Sequence, residues 1–253
     1  MSPALPAIER GPPGGEPVVL LHGFGGSALT WTRVQDALPE ARTIAFDLPG
    51  HGAALDHPDA ERTVVARDAV IAEIDRRGLR SVHLAGHSRG GAIACLVAIK
   101  VPERIASLTL AAPGGFDPQI EADGLATFAQ ARDEDELREA LGRLYAPRRP
   151  SRRVIAEMVE QRRDPRVAET LILIREGMGT ADGTQHTLDL ARIEAASHPV
   201  TVVWGEADAV LPAAQATAIS RAETIVLPGV GHMLPDEVPA TVAAAIRSHF
   251  RTD

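Results

Sequence analysis

Three residues able to carry nucleophilic chemistry stand in settings that suit it. They are Ser88 in Gly86-His87-Ser88-Arg89-Gly90, Asp208 in Trp204-Gly205-Glu206-Ala207-Asp208, and His232 in Gly229-Val230-Gly231-His232-Met233. A serine hydroxyl is a poor nucleophile until a base takes its proton, and the base must itself be oriented by a third group. A serine, an acid and a histidine brought to one point would meet both needs. The serine's setting is the sharpest signal. Ser81-Val82-His83-Leu84-Ala85 before it is short and mostly apolar. Gly91 to Lys100 after it is apolar nearly all round, and Pro102 stops it. This is strand, sharp turn and buried helix, the context in which G-x-S-x-G forms a nucleophile elbow. The glycines on either side lack a Cβ and so admit the strained turn. The hydroxyl would stand clear of the sheet at a helix N-terminus, where an anion is stabilised.

Each of the three has rivals. Glu206 and Asp236 compete with Asp208, but one comes two residues early and the other follows the histidine. His232 competes with His51, His57, His83, His87, His186, His198 and His249. His51 belongs to an Asp-Leu-Pro-Gly-His-Gly turn, His87 lies inside the elbow, and His249 sits near the end of the last helix. These histidines show no metal-ligand spacing, and no phosphate loop of the Walker type is present. The single cysteine, Cys95, lies in the apolar run after the serine and reads as a small core residue. With one cysteine no internal disulfide can form.

The elements that must position these groups alternate. Val18-Val19-Leu20-Leu21 is a continuous apolar run, as expected of a strand buried on both faces. Thr43 to Phe46, Ser81 to Ala85, Leu108 to Ala111, Val200 to Trp204 and Thr224 to Leu227 read as further strands, with a short edge strand around Leu5 to Ile8. Helical spacing covers 30–38, 59–77, 91–100, 213–220 and 237–250. The alternation predicts a doubly wound, mostly parallel α/β sheet with helices on both faces. From Phe116 to His198 the strand signal disappears, and 117–146, 151–163 and 165–178 read as helical pieces separated by Pro147, Pro150 and Pro165. The predicted organisation is therefore one core, 1–115 with 199–253, interrupted by a helical insertion over 116–198. Asp208 and His232 fall on loops at the carboxyl ends of strands, the edge where open parallel sheets place their sites.

Bulk properties bound the partners. The chain has 253 residues, 45% hydrophobic and 24% charged, with net charge −8 and a pI near 5.6. This argues against nucleic acid or an anionic membrane surface, because no broad basic face is available. Arg148, Arg149, Arg152, Arg153, Arg162 and Arg163 cluster, but Glu157, Glu160 and Asp164 interleave with them as on a solvated helix face. Neither a secretory leader nor a bilayer-length apolar run is visible, so a cytoplasmic protein with a small-molecule substrate is expected. The sequence leaves open whether copies associate as a homo-oligomer.

The chain resembles the α/β-hydrolase superfamily, in its small lidded branch of carboxylesterases, enol-lactonases and carbon–carbon bond hydrolases. The matching segments are Leu21-His22-Gly23-Phe24-Gly25-Gly26, Asp47-Leu48-Pro49-Gly50-His51-Gly52, Gly86-His87-Ser88-Arg89-Gly90-Gly91, Trp204-Gly205-Glu206-Ala207-Asp208 and Gly231-His232. The resemblance implies a Ser88-Asp208-His232 triad, no cofactor and no metal, and an oxyanion hole formed by the backbone N–H groups of Phe24 and Arg89. It gives His22 a structural role, holding its loop by hydrogen bonds. It also implies a helical lid over 116–198. Trp31, Phe24, Phe116, Phe128 and Tyr145 could line a cavity beneath it, although core packing is the default for such residues. Arg89 departs from the family pattern, where Met, Leu or Gln is usual. Its guanidinium could reach solvent, pair with an acid of the insertion, or grip a substrate carboxylate bidentately.

The implied activity is hydrolysis of a small ester, lactone, thioester or activated carbon–carbon bond through an acyl-enzyme. Aspartate-nucleophile dehalogenases and epoxide hydrolases of this fold are disfavoured by the serine. Perhydrolysis uses a similar triad. A proton-abstracting lyase of the menaquinone-pathway synthase type is an alternative on the same scaffold. A ligand-binding protein that has lost the chemistry is another.

Overall fold

The computed structural model describes residues 3–145 and 147–251. The apolar runs fold as β2 (Pro17–Leu21) after an edge strand β1 (Ala7–Arg10), then β3 (Arg42–Phe46) beyond the short helix α1 (Thr32–Asp36). Helix α2 (Thr63–Arg76) leads to β4 (Val82–His87), and α3 (Arg89–Lys100) leads to β5 (Ile105–Ala111). After the insertion come β6 (Val200–Gly205) and β7 (Glu223–Leu227). The strand order is β1-β3-β2-β4-β5-β6-β7, with β1 antiparallel to β3 and every other pairing parallel. The central strands β4 and β6 are buried along their whole length, as parallel strands covered by helices must be. Helices α2 and α3 pack together, and the closing helix α10 (Pro239–Arg247) packs on α1. The α/β fold class expected from the alternation is the one observed.

The insertion supplies α4 (Ala122–Gln130), α5 (Glu134–Leu144), α6 (Arg152–Arg162), α7 (Pro165–Met178) and α8 (Leu190–Glu194). In α5 the buried residues Leu137, Ala140, Leu141 and Leu144 form one stripe at helical spacing, and it joins the main core. Helix α7 lies on a smaller apolar cluster of Ala60, Ala129, Leu171 and Ile174.

The structure corrects several boundaries. The segment 117–146 is two helices, not one. Ala131 leaves the helical region at ψ 129°, and Asp133 caps α5 by accepting from the Asp135 and Glu136 N–H groups. Glu136 reaches back to the Arg132 N–H, so the Asp-x-x-Glu spacing was the missed helix start. The closing helix divides into α9 (Leu234–Glu237) and α10, because Val238 precedes Pro239 and leaves the helical region. Residues 213–217 form only a 3-10 turn. Among the described residues, no helix is long and apolar enough to cross a membrane.

The fold depends on close backbone approach at the elbow. A Cβ on Gly90 would lie 2.2 Å from the Leu21 carbonyl oxygen and 2.4 Å from that of His22. Gly90→Ala is therefore expected to cost on the order of 3 kcal/mol or more. Gly142→Ala, in open space within α5, is expected to stabilise by about 1 kcal/mol. Urea denaturation of the two variants checks both signs; equal small effects would contradict the packing argument.

Candidate active site

Ser88 follows the last residue of β4 and opens α3, with φ 52° and ψ −121°. This is unfavourable for a residue with a Cβ, so the surroundings must impose it. They do so through its main chain. Its N–H donates to the Ala111 carbonyl at 3.0 Å, and its carbonyl accepts from Gly91, Ala92 and Gly114. The turn also needs Gly86, where a Cβ would lie 2.3 Å from the Gly90 carbonyl oxygen. The side chain is treated differently. The Ser88 hydroxyl makes no cap bond to α3 and is without a hydrogen-bond partner among the described residues.

The acid and the histidine meet across two loops. His232 Nδ1 is 2.7 Å from Asp208 Oδ2, and both side chains are almost fully buried. The other Asp208 oxygen accepts from the Val210 and Leu211 N–H groups at 2.8 and 2.9 Å, which fixes the carboxylate. Burial pushes the Asp208 carboxyl up, but the His232 ring and those two N–H groups outweigh it and hold it below its usual range. The loops can approach only because residue 205 is glycine: a Cβ there would sit 2.2 Å from the Gly231 carbonyl oxygen. The elbow touches the histidine through its neighbour. His87 Nε2 donates to the His232 carbonyl at 2.9 Å, and the two rings lie 4.9 Å apart.

The sequence's rivals are elsewhere. Glu206 is exposed, and Asp236 pairs with Arg33. His249 bonds Thr201 near the start of β6, and His83 bonds Ser107, both toward the opposite edge of the sheet. His57 contacts the Pro58 carbonyl, His198 is buried just before β6, and His186 is exposed.

The loop after β2 is pinned by two neutral histidines. His22 Nε2 accepts from the Leu48 N–H, so its Nδ1 carries the proton and donates to the Gly23 carbonyl. His51 Nε2 accepts from the Gly25 N–H, and its Nδ1 donates to the Pro49 carbonyl. The loop lies against the elbow, since a Cβ on Gly23 would be 3.1 Å from the Ser88 Cβ. The Phe24 N–H has no acceptor among the described residues, and the Arg89 N–H heads α3, where the first amides have no intrahelical partner.

The aromatic candidates separate. Phe128 packs edge-on to Phe24 at 6.0 Å, and Phe116 tilts against Trp204. Tyr145 is buried beside the His232 loop, whose N–H donates to the Leu144 carbonyl. Trp31 lies in the main core. Arg89 is buried and pairs with no acid among the described residues, which leaves neither solvent nor an acid of the insertion as its direction.

Sequence reasoning missed two residues that hold the site. Glu237 accepts from the Gly231 and Met233 N–H groups on either side of His232, at 3.1 and 3.0 Å. Gln185 ties the Gly115 N–H to the Asp117 and Gln119 carbonyls. Both act on backbone groups, so their side chains carry no chemical motif to find.

The alpha/beta hydrolase family model matches residues 18–245, and the chain belongs to that family. It is 37% identical over 251 residues to the dihydrolipoyllysine-residue acetyltransferase component of the acetoin cleaving system of Pseudomonas putida. That alignment takes in 96% of this chain but only 66% of the relative's length. It is 32% identical over 220 residues to a Bacillus subtilis (strain 168) protein provisionally named 2-succinyl-6-hydroxy-2,4-cyclohexadiene-1-carboxylate synthase, covering 79% of this chain and 76% of that one. Its backbone superposes on 2-hydroxy-6-oxo-6-phenylhexa-2,4-dienoate hydrolase of Rhodococcus sp. strain RHA1 with TM-score 0.82 at 21% identity, over 98% of this chain and all 100% of the other.

The buried histidines set an acid limit on the site. Burial lowers His22 to about 4 and His87 to about 3, and holds His51 well below its usual value. Below pH 6.5 the unfolded chain takes up protons that the native state refuses. Stability is therefore full above about pH 6.5 and is lost as pH falls toward 4, by up to about 1.4 kcal/mol per histidine per unit. Urea titrations at pH 7, 5.5 and 4 check this. His87→Gln is expected to flatten the dependence, and a flat wild-type profile would refute it.

Proposed function

We propose that the chain is a serine hydrolase acting through an acyl-enzyme on a small-molecule ester, lactone, thioester or activated carbon–carbon bond. Ser88 is the nucleophile, His232 the base, and Asp208 the group that orients it. What supports this reading is the 2.7 Å Asp208–His232 hydrogen bond, the His87 contact that joins the elbow to the His232 carbonyl, and a strained serine whose hydroxyl no group among the described residues holds. With the Nδ1 proton directed at Asp208, the Nε2 lone pair is the one free to accept the Ser88 proton.

In this reading Ser88 Oγ bonds to the substrate carbonyl carbon while its proton passes to His232 Nε2. The carbonyl electron pair moves to oxygen, and the Phe24 and Arg89 N–H groups receive the oxyanion, each worth about 3–4 kcal/mol. When that pair returns, the leaving group departs with the proton from His232. Water then repeats the sequence: it gives a proton to His232, attacks the acyl carbon, and expels Ser88 Oγ, which takes the proton back. The insertion over 116–198 serves as the lid. Its hold on the His232 loop through Leu144, and the Arg148 hydrogen bond to the Glu237 carbonyl, support that role.

The Bacillus subtilis relative favours a second reading, a synthase in which the same pair takes a proton from substrate carbon and no acyl-enzyme forms. A fluorophosphonate probe followed by p-nitrophenyl acetate separates the readings. The hydrolase is expected to label at Ser88 and to release a burst of p-nitrophenol. Ser88→Ala should lose both, and Asp208→Asn should lower kcat on the order of 10⁴-fold. Labelling without a burst would support the synthase; no labelling would exclude a reactive Ser88.

A further inference from the structure

Arg89 directly follows the proposed nucleophile, and it is 3% exposed. Its Nη2 donates to the Ala60 carbonyl at 3.3 Å, while Nε and Nη1 are buried with no partner. No carboxylate pairs with it among the described residues. The guanidinium remains cationic near neutral pH, since burial lowers it only to about 10. An uncompensated buried charge is costly, of the order of several kcal/mol. The other buried guanidinium nearby, Arg162, satisfies Nε and Nη2 on the Ala131 and Phe128 carbonyls and lies over the Phe128 ring. Arg162 too has no acid among the described residues, and after burial both cations add to the lowering of His51.

Among the described residues, no acid neutralises Arg89. Asp208 is committed to His232 and two backbone amides. Asp47 is committed to the Ala28 and Ala53 N–H groups. The acceptor nitrogens of His22 and His51 already take the Leu48 and Gly25 N–H groups. Elsewhere the chain does pair its half-covered arginines: Arg77 meets Glu73 and Glu9, and Arg104 meets Asp75.

We propose that Arg89 binds a carboxylate carried by the acyl part of the substrate, so that this site takes half-esters or half-thioesters of short dicarboxylic acids. The proposal rests on the hydrolase reading above and names its substrate class. Ser88 and Arg89 are consecutive, so the two ends of such an acyl group would be held from adjacent residues of the elbow, and the half-ester series reads the number of carbons between them. The carboxylate accepts from the unpartnered guanidinium N–H groups, a charge-assisted bond stronger than a neutral one. Ala60, whose carbonyl anchors the guanidinium, belongs to a small apolar cluster with Ala129, Leu171 and Ile174, with Phe24 packed against it.

The test compares kcat/KM for methyl hydrogen succinate, glutarate and adipate with that for methyl butyrate. The wild type is expected to favour at least one half-ester 10-fold or more. Arg89→Met and Arg89→Gln are each expected to abolish that preference, a loss of 10-fold or more, equivalent to at least about 1.4 kcal/mol. Glutarate should slow fluorophosphonate labelling of the wild type where butyrate does not, a readout that survives if either variant fails to fold. A labelled Ser88 with no preference for half-esters and no protection by glutarate would overturn this proposal and leave the hydrolase reading standing. A preference that both variants retain would also overturn it. Absence of labelling would instead remove the hydrolase reading, and this inference with it.

Discussion

The backbone of one residue organises the rest. Ser88 can hold φ 52° only if everything around it leaves no alternative. Three close approaches do this: β4 against α3 at Gly86, α3 against the end of β2 at Gly90, and α3 against Pro113 at Gly91. Each is too tight for a Cβ, so each ties one loop of the sheet's carboxyl edge to the serine. Ala112, at φ 41°, marks the same crowding on the far side of β5. Strain of this kind costs of the order of 1–3 kcal/mol per residue, and the four hydrogen bonds on the Ser88 main chain offset it. Gly205 repeats the device for the other half of the site, bringing the 230–231 backbone onto β6.

Electrostatics follow from this tight packing. Burial lowers His22 and His51, so these two stay neutral and serve as donors and acceptors with fixed tautomers. His22 and His51 each take one backbone N–H and give one N–H, which locks the loop carrying Phe24 without placing a charge there. A protonated imidazole would lose its acceptor and break the lock. Asp208 is the exception, a buried carboxylate whose oxygens accept from His232 and two N–H groups. Its charge is compensated locally, whereas that of Arg89 is not.

Much of this was legible in the residues. Parallel strands buried on both faces write themselves as unbroken apolar runs, and the glycines around Ser88 and before Asp208 sit where backbone must meet backbone. The α/β sheet, and the edge on which Ser88, Asp208 and His232 stand, follow from those two signals. What was not legible lies in side chains that serve distant backbone. Glu237 reads as a surface helix residue, yet its carboxylate brackets His232. Gln185 reads as a loop residue, yet it staples residues some seventy positions away. Periodicity also fails where caps decide: the break at Ala131 to Asp133 interrupts an otherwise continuous helical pattern because Asp133 offers the next turn a better N-terminus than Ala131 can provide by continuing. The direction of Arg89 was open for a similar reason, since a guanidinium can reach several places from one Cα.

The segment between β5 and β6 contacts each loop of the candidate site. The Glu121 N–H donates to the Val210 carbonyl, within the loop that fixes Asp208. The His232 N–H donates to the Leu144 carbonyl, at the end of α5. Arg162 caps α4 through its last carbonyls and packs on Phe128, which in turn abuts Phe24. The acid loop, the histidine loop and the amide loop therefore each have a contact in the insertion. Helix packing within it, set by the stripe on α5, is coupled to the geometry of the Asp208–His232 pair. A change in the insertion that altered only shape would be felt as substrate preference; one that moved α5 would be felt as misalignment of the histidine. Under the proposed function, substitutions in these helices are therefore expected to change substrate preference and reactivity together.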